Sequence, residues 1–266
     1  MTTVVRLPVA AGTFYPHNAA RLETDVSAML AAAAHWNPDD GQPFALIVPH
    51  AGYRYSGPVA ASAYAGLRSR SAATRRVALF GPAHFEPLDG AAVSGVNAWR
   101  TPLGDVDVDD ELRRIAISAG TPVDEAPHLR EHALEVQLPW LQVVLGPEMR
   151  IVPVAVGRAS PDVVAALIAP VGDAADLVVI STDLSHYLPI DQARRRDRRT
   201  AEAVLARDAA AIGPDDACGV FALRGAVELA RQRGWGVRML DLRTSGDIAG
   251  DPTRVVGYGA FAITGG

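Results

Sequence analysis

The stretch "FALIVPHAGYRYSG", residues 44–57, carries an apolar run into a proline and then a histidine, two glycines and two tyrosines. An apolar run without polar alternation reads as a strand covered on both faces, the mark of a parallel sheet between two helix layers. Two other runs repeat the plan: "RVALFGP" (76–82) leads through Ala83 to His84, and "DLVVIST" (176–182) leads to Asp183 and then His186. In open α/β sheets ligands bind in the crevice beyond the carboxyl ends of the strands. Three strands that deliver His50, His84, Asp183 and His186 to that edge therefore predict one shared site. Pro49 and Pro82 stiffen two of the exits, which suits side chains that must be held in place. Gly52 and Gly57 read as hinges of a tight loop around His50, with Tyr53 and Tyr55 walling the cleft or capping the core.

Outward from these strands, β-rich runs alternate with Ala-rich amphipathic segments. Further strands are expected at 90–95, 149–157, 236–245 and 255–263. Helices are expected at Ala20–Ala34, Pro58–Leu67, Asp109–Ala119, Glu131–Leu145, Pro161–Ala169, Asp191–Leu205 and Asp216–Arg233. The fold class is α/β: a central, mostly parallel or mixed β-sheet flanked by helices on both faces. No repeat, low-complexity linker or charge block marks a boundary, so residues 1–266 are read as one domain. "ARRRDRRT" (193–200) is basic, but on a helix its arginines fan around the axis as a solvated face.

With 266 residues, 49% of them hydrophobic, the chain can bury a sizeable core. A formal charge of -5 leaves no basic footprint, which argues against nucleic acid and anionic membrane as partners. No apolar stretch reaches the roughly 18 to 20 residues of a membrane span, and the N-terminus lacks a basic-then-apolar leader, so a soluble cytoplasmic protein is expected. The single cysteine, Cys218, has no partner for an internal disulfide.

Among the remaining histidines, His17 and His35 read as surface residues. His128 and His132 stand four apart, but no glutamate follows His128, so the HExxH zinc motif is missing, and Pro127 puts His128 in a helix lead-in. His132, beside Glu131 and Glu135, reads as an element that supports the site or moves a proton, or else as a helix cap or salt bridge. Cys218 follows Pro214, Asp215 and Asp216, which places it in the first helical turn, where the dipole favours thiolate; the alternative is an inert buried thiol. Two imidazoles and one thiolate suit a first-row metal such as iron, copper or zinc. Ser185 beside His186 lacks a nucleophile elbow, so no serine triad competes.

Taken together, "PHAGYRYSG", "GPAH", "EHALEVQLPWL", "STDLSHY", the Cys218–Gly219 pair and "VVGYGAFAI" resemble the Memo-like family. Its bacterial members are often named AmmeMemoRadiSam system protein B. The likeness runs from "AGTFYP" near residue 11 to the C-terminus, in order. That family is similar in fold to class III (LigB-type) extradiol dioxygenases, which use non-haem Fe(II). The resemblance implies His50, His84 and Cys218 as metal ligands, the cysteine standing where the dioxygenases carry a glutamate. It implies His186 as general base, His132 as a second active-site histidine, and Asp183 as a residue that orients its neighbours. Phe14 stands where many relatives carry tryptophan, and with Tyr55 it would wall a planar ligand or peptide side chain. Fe(II) is the first expectation for the cofactor, with copper or zinc as alternatives. Three functions follow: a redox enzyme acting on an electron-rich aromatic, a metal- or peptide-binding module without turnover, and a zinc hydrolase. The family name further implies radical-SAM and AMMECR-type proteins as partners.

Overall fold

Side chains along residues 45–48 alternate between two separate cores: Leu46 and Val48 face one, Ala45 and Ile47 the other. Val77 and Leu79 against Ala78 and Phe80 repeat the pattern, as do Leu177 and Val179 against Val178 and Ile180. Each large apolar side chain removed from water contributes about 1.5–3 kcal/mol, so strands lined on both faces are held only where helices cover both.

The computed structural model describes residues 3–34, 43–70 and 75–265; His35 lies outside them. In chain order the elements are β1 (Val5–Arg6), α1 (Ala19–Ala32), β2 (Pro43–Val48), α2 (Tyr53–Tyr64), β3 (Arg76–Pro82), β4 (Ala91–Val93), β5 (Ala98–Thr101) and β6 (Gly104–Val108). There follow α3 (Asp110–Ser118), α4 (Ala126–Leu129), α5 (Leu138–Leu145), β7 (Arg150–Val156), α6 (Pro161–Ala174), β8 (Leu177–Ser181) and β9 (His186–Leu188). The chain closes with α7 (Ile190–Ala206), α8 (Val220–Gln232), β10 (Gly236–Thr244), α9 (Ser245–Ala249) and β11 (Val255–Thr264). One mixed sheet has the order β1-β5-β6-β7-β3-β8-β2-β11-β10, with β4 added on β7 and β9 on β11. Its centre, from β6 to β2, is parallel, and β11 and β10 close one side antiparallel. Helices α1, α2 and α5 cover the first core; α3, α6, α7 and α8 cover the second. No helix among the described residues is long and apolar enough to cross a membrane.

The mixed α/β sheet with helices on both faces is as expected, but several boundaries move. Strands β1, β5, β6 and β9 were not anticipated, because they are two to five residues long and include charged positions such as Arg100, Asp105 and Asp107. The glycine-rich loop expected after His50 is a helix from Tyr53 onward, with Pro58 inside it. Gly57 is there for packing: a Cβ at that position would stand 2.5 Å from Met29 Sδ, so the residue lets α1 and α2 approach. The helix expected at Glu131–Leu145 is regular only from Leu138; Glu131–Leu134 is irregular, and a short 3₁₀ turn joins the two.

Candidate metal centre

Strands β3, β8 and β2 are neighbours in the sheet, so their carboxyl ends open on one place. His50 follows β2, His84 follows β3, Asp183 follows β8, and the irregular segment before α5 brings His132 over them. Ring centroids of His50 and His84 lie 5.3 Å apart, His50 and His132 5.5 Å, and His84 and His132 5.0 Å. Among the described residues, His50, His84 and His132 form a group whose ligand atoms all lie within 4.8 Å of one another, close enough to hold a metal ion. His50 is buried while His84 is open to solvent, which gives the cluster a closed floor and an accessible rim.

The hydrogen bonds fix which nitrogen of the His50 and His84 rings is available. Ser181 Oγ donates to the Ala133 carbonyl (2.7 Å) and accepts from Gln137 Nε2 (2.8 Å). Its proton is thus committed, and His50 Nδ1, 2.9 Å away, must donate to it, leaving Nε2 with its lone pair. His84 Nδ1 donates to the Glu131 carboxylate at 2.9 Å, with the same consequence. His132 Nδ1 lies 3.4 Å from that same Glu131 oxygen. Burial lowers the His50 pKa to about 3, and the neighbouring His84 charge adds to it. Burial likewise lowers His132 to about 4, helped by His50. Both rings are therefore neutral at pH 7, the form a metal requires.

Glu131, fully buried, is the hinge of this arrangement. One oxygen accepts from the His84 ring and from the backbone N–H of His132 (2.9 Å) and Ala133 (2.8 Å), and the other from the His84 N–H (2.6 Å). Burial alone would raise its pKa, but the His84 ring and these N–H groups hold it down at about 2. Four residues on, Glu135 serves the fold instead. It takes Arg6 Nη1 (2.7 Å), the N–H groups of Val9 and Ala10, and the Tyr15 hydroxyl (2.5 Å), and so ties the N-terminal segment under the site. Arg6 also donates to the carbonyls of His128 and Glu131, fixing the backbone that carries Glu131. His128 itself points away. It is buried, with Nε2 3.2 Å from the Ala92 carbonyl and its ring edge-on to Trp99, and is not in the metal-competent group.

Cys218 Sγ stands 3.3 Å from His50 Nε2, on the side of that ring where Asp183 and Thr182 lie. It precedes Gly219, the N-cap of α8, and so is not in the helix's first turn as expected. Nor is it a free thiolate: burial pushes the thiol pKa up, and the Asp183 charge pushes it further. Asp183 accepts the N–H of His50 (2.7 Å) and Ala51 (3.3 Å), which pins the strand exit; burial raises its pKa against those bonds. His186 Nδ1 donates to the Leu184 carbonyl at 2.8 Å, leaving Nε2 able to take a proton, and its charge bears on both His50 and Asp183.

Around the cluster, Phe14 lies on the His132 ring with centroids 4.2 Å apart. Tyr55 lines a neighbouring groove, and its ring lies near Gly52, which the Phe14 backbone also approaches. Phe85, half exposed at 46%, reaches to within 6.1 Å of His132, ring to ring. It was not singled out in the sequence, although an exposed aromatic directly after His84 is a readable signal. Gln137 and Ser181, which set the His50 tautomer, were missed because one lies in an apolar run and the other inside a strand.

The fold and site define an α/β protein with a histidine cluster at the carboxyl edge of its central sheet, its ligand atoms close enough together to hold a metal ion. The chain belongs to the Memo-like protein family, whose model matches residues 6–262. It is 33% identical to a MEMO1 family protein of Sulfolobus acidocaldarius, over 96% of this chain and 98% of that one. It is 34% identical to a MEMO1 family protein of Aeropyrum pernix, covering 97% and 99%, and 34% to one of Aquifex aeolicus, covering 96% and 97%.

Proposed function

We propose that the protein is a metal-dependent redox enzyme acting on a small electron-rich aromatic molecule. The observation that carries this reading is the group of three histidines, His50, His84 and His132, whose ligand atoms lie within 4.8 Å of one another, beside a separate histidine, His186, whose Nδ1 is engaged on the Leu184 carbonyl. In this reading His50 and His84 hold the metal, with His132 on one side and Cys218 on the other; the donor set fits Fe(II), and equally admits copper or zinc. Bound there, the metal would supply Lewis acidity and, for iron or copper, electron transfer. Glu131 holds the His84 ring and the backbone of His132 in position, and Cys218 would have to give up its thiol proton to serve as a ligand, so that uptake would release protons. His186 removes a proton from a substrate hydroxyl, and its Nδ1–H on the Leu184 carbonyl keeps the basic nitrogen exposed. Asp183 holds the His50 backbone, and Phe14 covers the His132 ring against water.

The test is metal analysis after anaerobic purification, followed by oxygen uptake with a panel of catechols and peptides. His186→Ala is expected to leave metal content nearly intact and abolish turnover. The exposed aromatics Phe85, beside His132, and Tyr187, beside His186, favour a second reading, a binding module without turnover. No oxygen uptake with any substrate, together with binding of a peptide that Phe14→Ala and Tyr55→Ala release, would decide for that module.

A further inference from the structure

The turn after β8 has two sides. Asp183 accepts the His50 N–H on the side of the histidine cluster, whereas Ser185 donates its own N–H to Asp197 Oδ1 of α7 at 3.0 Å. Asp197 is 2% exposed, and its other oxygen, Oδ2, has no hydrogen-bond partner among the described residues. The Ser185 hydroxyl is buried beside the same carboxylate. Desolvation falls on both carboxylate oxygens while the Ser185 N–H offsets it on one, so folding stability alone gives no reason for this residue.

Strand β11 is shaped to receive it. A Cβ at Gly257 would collide with the Asp197 carboxylate, so the position calls for glycine. That same residue holds the turn: its N–H donates to the Ser185 carbonyl and its carbonyl accepts the Leu184 N–H, both at 2.8 Å. Leu184 in turn presents its carbonyl to His186 Nδ1, again at 2.8 Å. Past His186 the pairing of β9 with β11 slips. Val256 pairs with His186 and Val255 with Leu188, which leaves Tyr187 as the extra residue of a bulge, at φ 58°. A non-glycine residue in the left-handed region persists only where its surroundings enforce it, and bulges re-aim the side chains next to them.

We propose that Asp197 is a positioning residue for His186: with Gly257 it clamps the Leu184–Ser185 backbone, so that the Leu184 carbonyl keeps the ring proton on Nδ1 and Nε2 is left as the basic nitrogen. Asp197 bonds the turn and not the three clustered histidines, so its effect separates from metal binding. The use of Nε2 as a base rests on the proposed function; the tautomer itself does not.

Long-range proton–nitrogen NMR of metal-free protein, labelled with nitrogen-15 at the histidine rings, reads the tautomer at about pH 8, where an ordinary histidine is neutral. The His186 signal is the one absent from His186→Gln. In the native protein it is expected in the Nδ1–H form. Asp197→Ala should move the tautomer ratio about 3–10-fold toward Nε2–H, the size of one hydrogen-bond contribution, and Asp197→Asn, which keeps an oxygen for the Ser185 N–H, should restore it. Asp197→Leu, which fills the space without an acceptor, gives the same reading should the alanine variant not fold. A native His186 protonated on Nε2 overturns the proposal, as does a folded alanine or leucine variant with the native ratio, or an asparagine variant that shifts as far as alanine. In Fe(II)-loaded protein, Asp197→Ala should lower kcat at unchanged metal content and KM; an unchanged kcat overturns the positioning role. Native protein without oxygen uptake on any substrate, with the tautomer shift still present, overturns the proposed function and supports the clamp.

Discussion

Glu131 and Glu135 stand four residues apart in one short motif, both fully buried and both saturated with hydrogen bonds, yet they do different work. Glu135 faces the N-terminal segment and neutralises Arg6, so its bonds close the fold. Glu131 faces the strand ends, and its bonds go to the ring of one candidate ligand and to backbone that carries two. The difference teaches that burial and satisfaction alone do not tell a structural carboxylate from a functional one; what the partner is free to do tells them apart. Arg6 has every donor group engaged within the fold, on Glu135 and on the His128 and Glu131 carbonyls. His84, by contrast, keeps a bare nitrogen pointing outward.

The largest effect should come from the structural side. Glu135→Ala leaves the Arg6 guanidinium buried without its counter-charge, along with the Tyr15 hydroxyl and two N–H groups. Removing one member of a buried pair costs about 3–5 kcal/mol, to be read from the urea unfolding midpoint. Glu131→Gln should separate from it. The amide keeps one accepting oxygen for the His132 and Ala133 N–H groups and the His84 ring, now without charge, and sets its NH2 against the His84 N–H, so metal affinity is expected to fall about 10–100-fold; no buried cation loses its counter-charge, so the unfolding midpoint moves less than in Glu135→Ala. Equal destabilisation by the two variants would erase the distinction.

What could be read from the chain follows the same division. The strand ends carrying His50, His84 and Asp183 were legible, because an unbroken apolar run that stops at a polar residue reports both a buried strand and its edge. The partition between Glu131 and Glu135 was not, since it depends on Arg6 and Tyr15, more than a hundred residues away, arriving beneath one glutamate and not the other. Cys218 was placed one step too far into its helix: Gly219 caps α8, and the low-dielectric surroundings outweigh any dipole at that end. The loop after His50 was misread because Gly57 and Pro58 look like turn signals, when tertiary contact with Met29 is what calls for the glycine.

A smaller effect tests whether the histidine side is held neutral. His50 and His132 titrate at about 3 and about 4 in the folded protein, against about 6.5 in the unfolded chain. Below pH 6.5 the unfolded chain takes up protons that the fold refuses, so the stabilisation is complete above that pH and is lost as pH falls toward 4 and 3. Asp197 opposes this: burial raises it to about 6, so its contribution rises as pH falls from about 6 to about 4. Urea midpoints of metal-free protein between pH 7 and 4 should therefore decline, more steeply in Asp197→Asn and less in His50→Gln. A Glu135 variant should lower the whole profile without changing that slope; a profile that flattened in the Glu135 variant instead would place the acid-sensitive groups on the wrong side of the comparison.

The smallest effect concerns the neighbour of His50 that Glu131 does not reach. Cys218 Sγ is half-buried, 3.3 Å from His50 Nε2, and as a thiol it shares that nitrogen's lone pair in the metal-free protein. If an ion displaces the thiol proton and takes sulfur as a ligand, Cys218→Ser exchanges a soft donor for a hard one while leaving the three imidazoles and their Glu131 support in place. The loss should be less than that of Glu131→Gln for Fe(II), and larger for copper and zinc than for iron, because thiolate favours the softer ions. Competition titrations of the three metals against a chelator, native protein beside Cys218→Ser, read this directly. Equal losses for all three would mean that sulfur only packs against His50, and that the centre is made by the imidazoles on the Glu131 side alone.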